Sequence, residues 1–257
     1  FETHKLLYEK CKENNITYLC SAFDLESIKF LNTNFDLPYF KIGSGEIFSV
    51  DIINYISKIN KPILLSTGFA TFDEIEVSLN LFNKNFEKDI TILHCISRYP
   101  TPMKSVNLSV MLKLKEKFKY PVGFSDHTMG NECAIAAVAM GAKVIEKHVT
   151  LNKNSLGPDH KSSLDKEEFI KFVREIRNSE LSIGKKIKII SKSEVANSKV
   201  IRKSIVAIKD INKGEVFSIK NISCKRPNLG IPANHWDKVI GKRSKFNFKK
   251  DDFIKLR

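Results

Sequence analysis

The 257-residue sequence predicts an α/β fold: a TIM-type (β/α)8 barrel, about six of whose βα units are present, followed by a small β-rich domain. Three observations carry this expectation. Six short runs are apolar at successive positions, and each leads through a polar or glycine-rich end into a helical pattern; strands apolar on both faces belong to a parallel sheet covered by helices. The units recur about every 25 residues, the cadence of a barrel near its usual ~250-residue size. Beyond Gly184 the texture changes to short strands punctuated by glycine and asparagine. A doubly wound open sheet also accommodates six strands, but no GxGxxG or P-loop follows a first strand here.

In chain order, an amphipathic helix carrying Leu6, Leu7 and Cys11 comes first. The predicted strands are ITYLCSAF (16–23), YFKIGSGE (39–46), PILLSTG (62–68), ITILHCIS (90–97), PVGFSDH (121–127) and KVIEKHVT (143–150). Thr71 and Glu74 make a capping box ahead of FDEIEVSLNLF, and Asp165 and Glu168 make another. In the helix after Asp165, Phe169, Phe172, Val173 and Ile176 fall at i, i+3, i+4 and i+7, and Gly184 stops it. Two of eight units are lacking and the first residue is not methionine, so the N-terminal quarter of the barrel is expected to lie outside this sequence. The predicted organisation is a partial barrel over 1–183, a polar, charged linker over 184–197, and a β-rich domain over 198–257.

Composition narrows the classes. The five cysteines are far apart, form no CxxC pair and lie mostly in apolar runs, as reduced core residues of a cytoplasmic protein do. No apolar stretch approaches the roughly 20 residues that span a bilayer, and no signal peptide opens the chain, so a soluble protein is expected. The net charge of +14 is uneven: residues 1–183 hold 23 basic and 23 acidic residues, and 184–257 hold 20 and 6. Such a basic tail is a lysine-rich solvated face or a surface for nucleic acid or an acidic ligand.

Chemistry concentrates where each strand ends, the face on which barrels of this type build their sites. The ends carry Ser21; Lys41, Ser44 and Glu46; Ser66 and Thr67; Ser97, Arg98 and Tyr99; Ser125, Asp126 and His127; Glu146 and His148. Side chains two apart on a strand share a face, so Ser125 points with His127, and Glu146 with His148. A lone histidine in an apolar run is more often a hydrogen-bonded core residue. Two on neighbouring strand ends favour a shared divalent cation completed by water or substrate. Lys41 and the adjacent hydroxyls suit an anion, most simply a phosphate, and the GSG at 43–45 admits close backbone approach. Lys147 alternates away from His148, and His94 and Cys95 are expected in the core.

The motifs FKIGSGE, LLSTG, HCISRYPTP, GFSDHT, VIEKHVTL and GPDH (157–160), with KDINKGE and KRPNLGI in the tail, resemble the sialic acid synthase family over the whole chain. The resemblance implies condensation of phosphoenolpyruvate with an N-acylated mannose-type sugar, giving a nine-carbon 2-keto acid. It implies a C-terminal antifreeze-like (SAF, β-clip) domain, whose basic character then serves as a lid over an anionic site. It assigns a divalent metal to His127 and His148, manganese in the family, with magnesium or cobalt as substitutes. Phosphoenolpyruvate falls to Lys41, Ser44, Ser66, Ser97, Tyr99, Ser125 and Ser21, the last where the family usually has threonine. Glu46, Tyr99, Asp159 and Arg226 fall to the sugar, Glu46 also being catalytic. In the family the arginine comes from the partner subunit of a domain-swapped homodimer. GPDH looks more like the N-acetylneuraminate and legionaminate synthases than the pseudaminate type, and the lysine-rich composition of an AT-rich bacterium inclines the reading to legionaminate. Two alternatives stay open from the residues alone: a Schiff-base aldolase with Lys41 as nucleophile, and a non-enzymatic basic module or inactive truncated fragment.

Overall fold

A run such as Ile63–Ser66, apolar on both faces, can be buried throughout only inside a covered sheet, and it is buried throughout in the computed structural model, which describes residues 1–59, 61–82, 86 and 89–257. The chain divides into two compact units, Phe1–Gly184 and Lys185–Arg257. Among the described residues of the first, five parallel strands form one sheet: β1 (Phe40–Ile42), β2 (Ile63–Ser66), β3 (Ile90–Cys95), β4 (Val122–Asp126) and β5 (Ile145–Lys147). Their order is β1-β2-β3-β4-β5. A doubly wound sheet reverses its order at a switch point; this one never does, so its strands are consecutive staves of a barrel. Gly123 permits the spacing of the last two, because a Cβ there would lie 2.6 Å from the Val144 carbonyl oxygen and 2.5 Å from Leu93 Cδ2.

Eight helices accompany these strands in the described part of this unit: α1 (Glu2–Glu13), α2 (Leu25–Asn34), α3 (Val50–Ile59), α4 (Phe72–Asn80), α5 (Met103–Val106), α6 (Ser109–Phe118), α7 (Glu132–Ala139) and α8 (Lys166–Ile183). Both predicted capping boxes are formed, Thr71 with Glu74 at α4 and Asp165 with Glu168 at α8. Phe40, Ile42, Ile53, Ile56, Leu65, Ile92 and Phe124 are fully buried in the main core, each contributing roughly 1.5–3 kcal/mol of hydrophobic stabilisation. On α8, Phe172 and Ile176 bury against Ala134 and Val138 of α7. Phe169 and Val173, on the same predicted face, stay more than a third exposed beside a cleft that Ile145 also lines.

Several elements differ from these expectations. The run 16–23 touches the sheet through a single bridge, Ser21 to Lys41. It leaves α1 with the Ile16 N–H bonded back to the Cys11 carbonyl, and exposed Ile16 gives it no second buried face. The run 39–46 stops as a strand at Ile42, because Gly43 leads into a 3₁₀ turn over Ser44–Glu46. The last run joins the sheet only over Ile145–Lys147 and is half-buried there, and beyond it Val149 makes a single parallel bridge to Leu164. In α1, Leu6 and Leu7 are exposed; the helix docks instead through Tyr8, whose ring lies 4.9 Å from Phe35 and 5.9 Å from Tyr18.

In the second unit, β6 (Ser204–Ala207) pairs antiparallel with β7 (Ile222–Lys225). Ile205, Ile211, Phe217, Ile222, Val239, Phe248 and Ile254 form its core. A helix, α9 (Lys192–Ile201), begins inside the stretch read as linker and runs into the stretch read as β-rich domain, started by a third capping box of Ser191 and Glu194. It buries no residue, so the charged, apolar-poor sequence that disguised it is also what keeps it exposed. All five cysteines are free. Among the described residues no helix is long and apolar enough to cross a membrane.

Candidate active site

At the C-terminal ends of the strands lies an open cleft of about 290 Å³. Its lining draws on every strand: Ser21 and Lys41 at the first bridge, Ser44 from the 3₁₀ turn, Ser66 from β2, Cys95, Ser97 and Tyr99 from β3 and its loop, Ser125 from β4 with His127 just after it, and Glu146 from β5 with His148 just after it. The parallel register brings these positions level, with Cys95 opposite Ser125 and Ser125 opposite Glu146.

One half of the cleft holds a buried ammonium among hydroxyl groups. Lys41 is buried, and its ammonium lies 3.4 Å from Glu146 Oε2. Ser125 donates to the other oxygen of that carboxylate, Oε1, at 2.6 Å. Ser44 Oγ accepts the Gly68 N–H at 2.8 Å and lies 3.3 Å from Cys95 Sγ. Gly68 is required here, because a Cβ would meet Ser97 Oγ at 2.1 Å and Ser44 Oγ at 2.9 Å. Ser66 Oγ is buried and has no hydrogen-bond partner among the described residues. A hydroxyl left bare in a native fold costs on the order of 1–3 kcal/mol, and of the bare side-chain atoms among the described residues this one lines the cleft.

The other half holds the two imidazoles, whose ring centroids are 5.3 Å apart at an interplanar angle of 90°. His127 Nδ1 lies 2.8 Å from the Ile96 carbonyl, which assigns the proton to Nδ1 and leaves the Nε2 lone pair facing the cleft. Ser125 is 3.3 Å from Nε2 but has committed its proton to Glu146. Burial holds His127 below the usual histidine range, and the neighbouring His148 adds to this against the pull of the Ile96 carbonyl, so the ring is neutral at pH 7. His148 turns Nδ1 toward Asp159 Oδ2 at 3.8 Å. Asp159 adopts φ 67°, and its carbonyl accepts from the N–H and hydroxyl groups of Ser162 and Ser163, which fixes this strained residue beside the ring. Two imidazoles with Nδ1 directed at oxygen and Nε2 free fit the donor set of a divalent cation. No group of three or more His, Cys, Asp or Glu arranged for a metal occurs among the described residues, so water or substrate would supply the remaining ligands. Tyr99 stands against both rings, at 4.2 Å from His127 and 5.3 Å from His148. Partial burial, with nearby acidic groups, raises its hydroxyl, which stays protonated at pH 7.

The model of the NeuB family matches residues 1–188, and that of the SAF domain matches 202–256. The chain belongs to the NeuB family. Across 256 residues it is 48% identical to the N,N'-diacetyllegionaminic acid synthase of Campylobacter jejuni, covering 99% of this chain and 76% of that protein. The pseudaminic acid synthase of the same strain is 36% identical over 255 residues, covering 99% and 74%. Among solved structures, the N-acetylneuraminic acid synthetase of Leptospira borgpetersenii superposes with a TM-score of 0.68 at 31% identity, covering 75% of this chain and 67% of that one.

Not every predicted residue enters the cleft of this NeuB-family chain. Glu46 does not line it: the 3₁₀ turn carries its carboxylate to the Ser49 hydroxyl. Asp159 sits behind His148, and Arg226 is exposed after β7 in the second unit. Thr67 donates to the Leu93 carbonyl, and Arg98 lies outside with Pro100 and Met103. Asp126 points away from His127 to Lys147. His94 is a core residue bonded to the Val106 carbonyl, but Cys95 is not confined to the core and lines the cleft. The period of two that paired Ser125 with His127 also pairs Cys95 with Ser97, a signal present in the sequence but unused. Phe23 and Phe69, which also line the cleft, carried no such signal.

Proposed function

We propose that this chain condenses phosphoenolpyruvate with an N-acylated mannose-type amino sugar, releasing phosphate and a nine-carbon 2-keto sugar acid. The observation that carries the reading is one cleft in which a buried ammonium and an unpartnered hydroxyl, Lys41 and Ser66, adjoin two imidazoles with free Nε2 atoms. In the reaction, C3 of phosphoenolpyruvate bonds to the aldehyde carbon of the open-chain sugar, water adds to C2, and the C2–O bond to phosphate breaks. Lys41, Ser44 and Ser66 bind the anion and orient C3, with Ser21, Ser97 and Ser125 at its margin. Ammonium and hydroxyl groups fixed before the reaction stabilise charge without reorganising. His127 and His148 would hold a divalent cation, manganese on the family resemblance, which when bound supplies a Lewis acid for the aldehyde oxygen. Tyr99, protonated and set against both rings, offers its hydroxyl to the sugar, with Asp159 near it and Glu46 as a further sugar contact on the family resemblance.

The sugar of choice is the legionaminate precursor, supported by the greater identity to the legionaminic than to the pseudaminic acid synthase of Campylobacter jejuni, 48% against 36%. The same resemblance supports a cytoplasmic homodimer with exchanged SAF domains, in which Arg226 of the partner subunit meets the N-acyl group. The test incubates the protein with phosphoenolpyruvate, manganese and a panel of N-acylated mannose-type sugars. Sugar-dependent phosphate release that His127→Ala abolishes is expected, with the variant keeping its circular dichroism spectrum. Absence of release with every sugar, from a folded protein, rejects the proposal.

A further inference from the structure

The two histidines lie just beyond the point where backbone pairing ends. β4 and β5 pair as Phe124 with Ile145, Ser125 with Glu146 and Asp126 with Lys147, and the ladder stops there. His127 and His148 come next, and no β4–β5 hydrogen bond ties them to each other; their carbonyls turn instead to the Thr101 N–H at 2.7 Å and the Leu164 N–H at 2.9 Å. On the reverse face of that last rung, Lys147 Nζ reaches Asp126 Oδ2 at 2.8 Å, the Thr128 carbonyl at 2.6 Å and the Gly130 carbonyl at 3.0 Å. All three ammonium protons are thereby used. Asp126 Oδ1 in turn accepts from the Thr128 N–H at 2.9 Å and its hydroxyl at 2.7 Å. Both charged side chains are almost entirely removed from solvent, at 2% and 0% exposure.

We infer that Asp126 and Lys147 form a positioning pair that sets the separation of the His127 and His148 rings. The ammonium just before His148 grips the carboxylate just before His127 and two carbonyls just after it, so it clamps the chain on both sides of one ring to the base of the other. A buried ion pair is a poor device for stability alone, since a well-packed apolar pair generally does as well; registering two backbones is its best-attested use. The inference rests on the reading of the two rings as metal ligands for its consequence in metal affinity, while its geometric content stands apart from that reading.

The test uses the whole chain as the double variant Asp126→Asn with Lys147→Met, which leaves neither charge buried alone, and as the milder Thr128→Val, which keeps both charges and removes one bond into Asp126. Crystal structures of both, manganese titration without substrate, and phosphoenolpyruvate titration without metal are the readouts. In the double variant the ring centroids should move apart from 5.3 Å. Manganese affinity should fall about 10- to 100-fold, the usual effect of losing an outer support, and phosphoenolpyruvate affinity should stay within about twofold. Thr128→Val should shift the first two measures in the same direction by a smaller factor, and it decides the matter if the double variant does not fold. A lower melting temperature with unchanged ring separation and unchanged manganese affinity overturns the inference. If the unmodified protein binds no manganese, the metal reading fails, and the ring separation alone then decides this one.

Discussion

Replacing Glu146 by glutamine should weaken the free protein and tighten its hold on anions. Glu146 is the one carboxylate within 4 Å of the Lys41 ammonium among the described residues, at 3.4 Å. Unit charges at that distance attract by roughly 5 kcal/mol at an effective dielectric near 20. Water reaches the carboxylate, whose side chain is 38% exposed, and desolvating Lys41 opposes the gain, so about 1–3 kcal/mol survives. Glutamine keeps the shape and the acceptor for Ser125 but removes the charge. Unfolding of a unit of this size should then come about 2–12 °C earlier. An incoming phosphoenolpyruvate no longer has a carboxylate beside it and meets an unpaired ammonium, so its affinity should rise roughly 5- to 150-fold, the same energy expressed in binding. Isothermal titration and thermal denaturation measure the two effects on one sample. Equal or weaker binding by the variant would refute the reasoning, because it would mean that the anion does not use Lys41.

Gly68→Ala should cut phosphoenolpyruvate affinity at least tenfold, since its methyl group would displace Ser97 and Ser44; unchanged affinity in equilibrium titration would place the anion elsewhere. Stability should fall as pH drops below 6.5, the ordinary histidine value. Burial lowers both His94 and His127, so over that window the unfolded chain binds more protons than the folded one, and each ring adds at most about 1.4 kcal/mol per pH unit. Urea midpoints between pH 7 and 5 measure this, and His94→Gln should flatten the slope; a midpoint rising toward pH 5 would contradict it.

Much of the site was legible because a parallel strand leaves its last side chains alternating between two faces. That rule placed Ser125 with His127, Glu146 with His148, and Lys147 away from them. It failed where strands ended early: Gly43 breaks β1, the chain winds into a 3₁₀ turn, and Glu46 leaves the direction a strand would have given it. The 16–23 run misled for a related reason, since β-branched and aromatic composition says nothing of whether a second face will be covered. Helix α9 was signalled by Ser191 and Glu194 but lacks the apolar face on which helix prediction leans. The pairing of Lys41 with Glu146 depends on residues 105 positions apart and has no local signature.

The cleft is assembled from two kinds of backbone. Lys41, Ser66, Ser125 and Glu146 hang from the sheet itself and inherit its stiffness, whereas Tyr99 and Asp159 occupy connecting segments outside the five-strand ladder, and His148 is tied to a single bridge through the Leu164 N–H. Grafting a different 149–163 segment therefore offers a route to new substrate preference with the phosphate end left intact, since the parts that would change and the parts that must not are carried by separate stretches of chain.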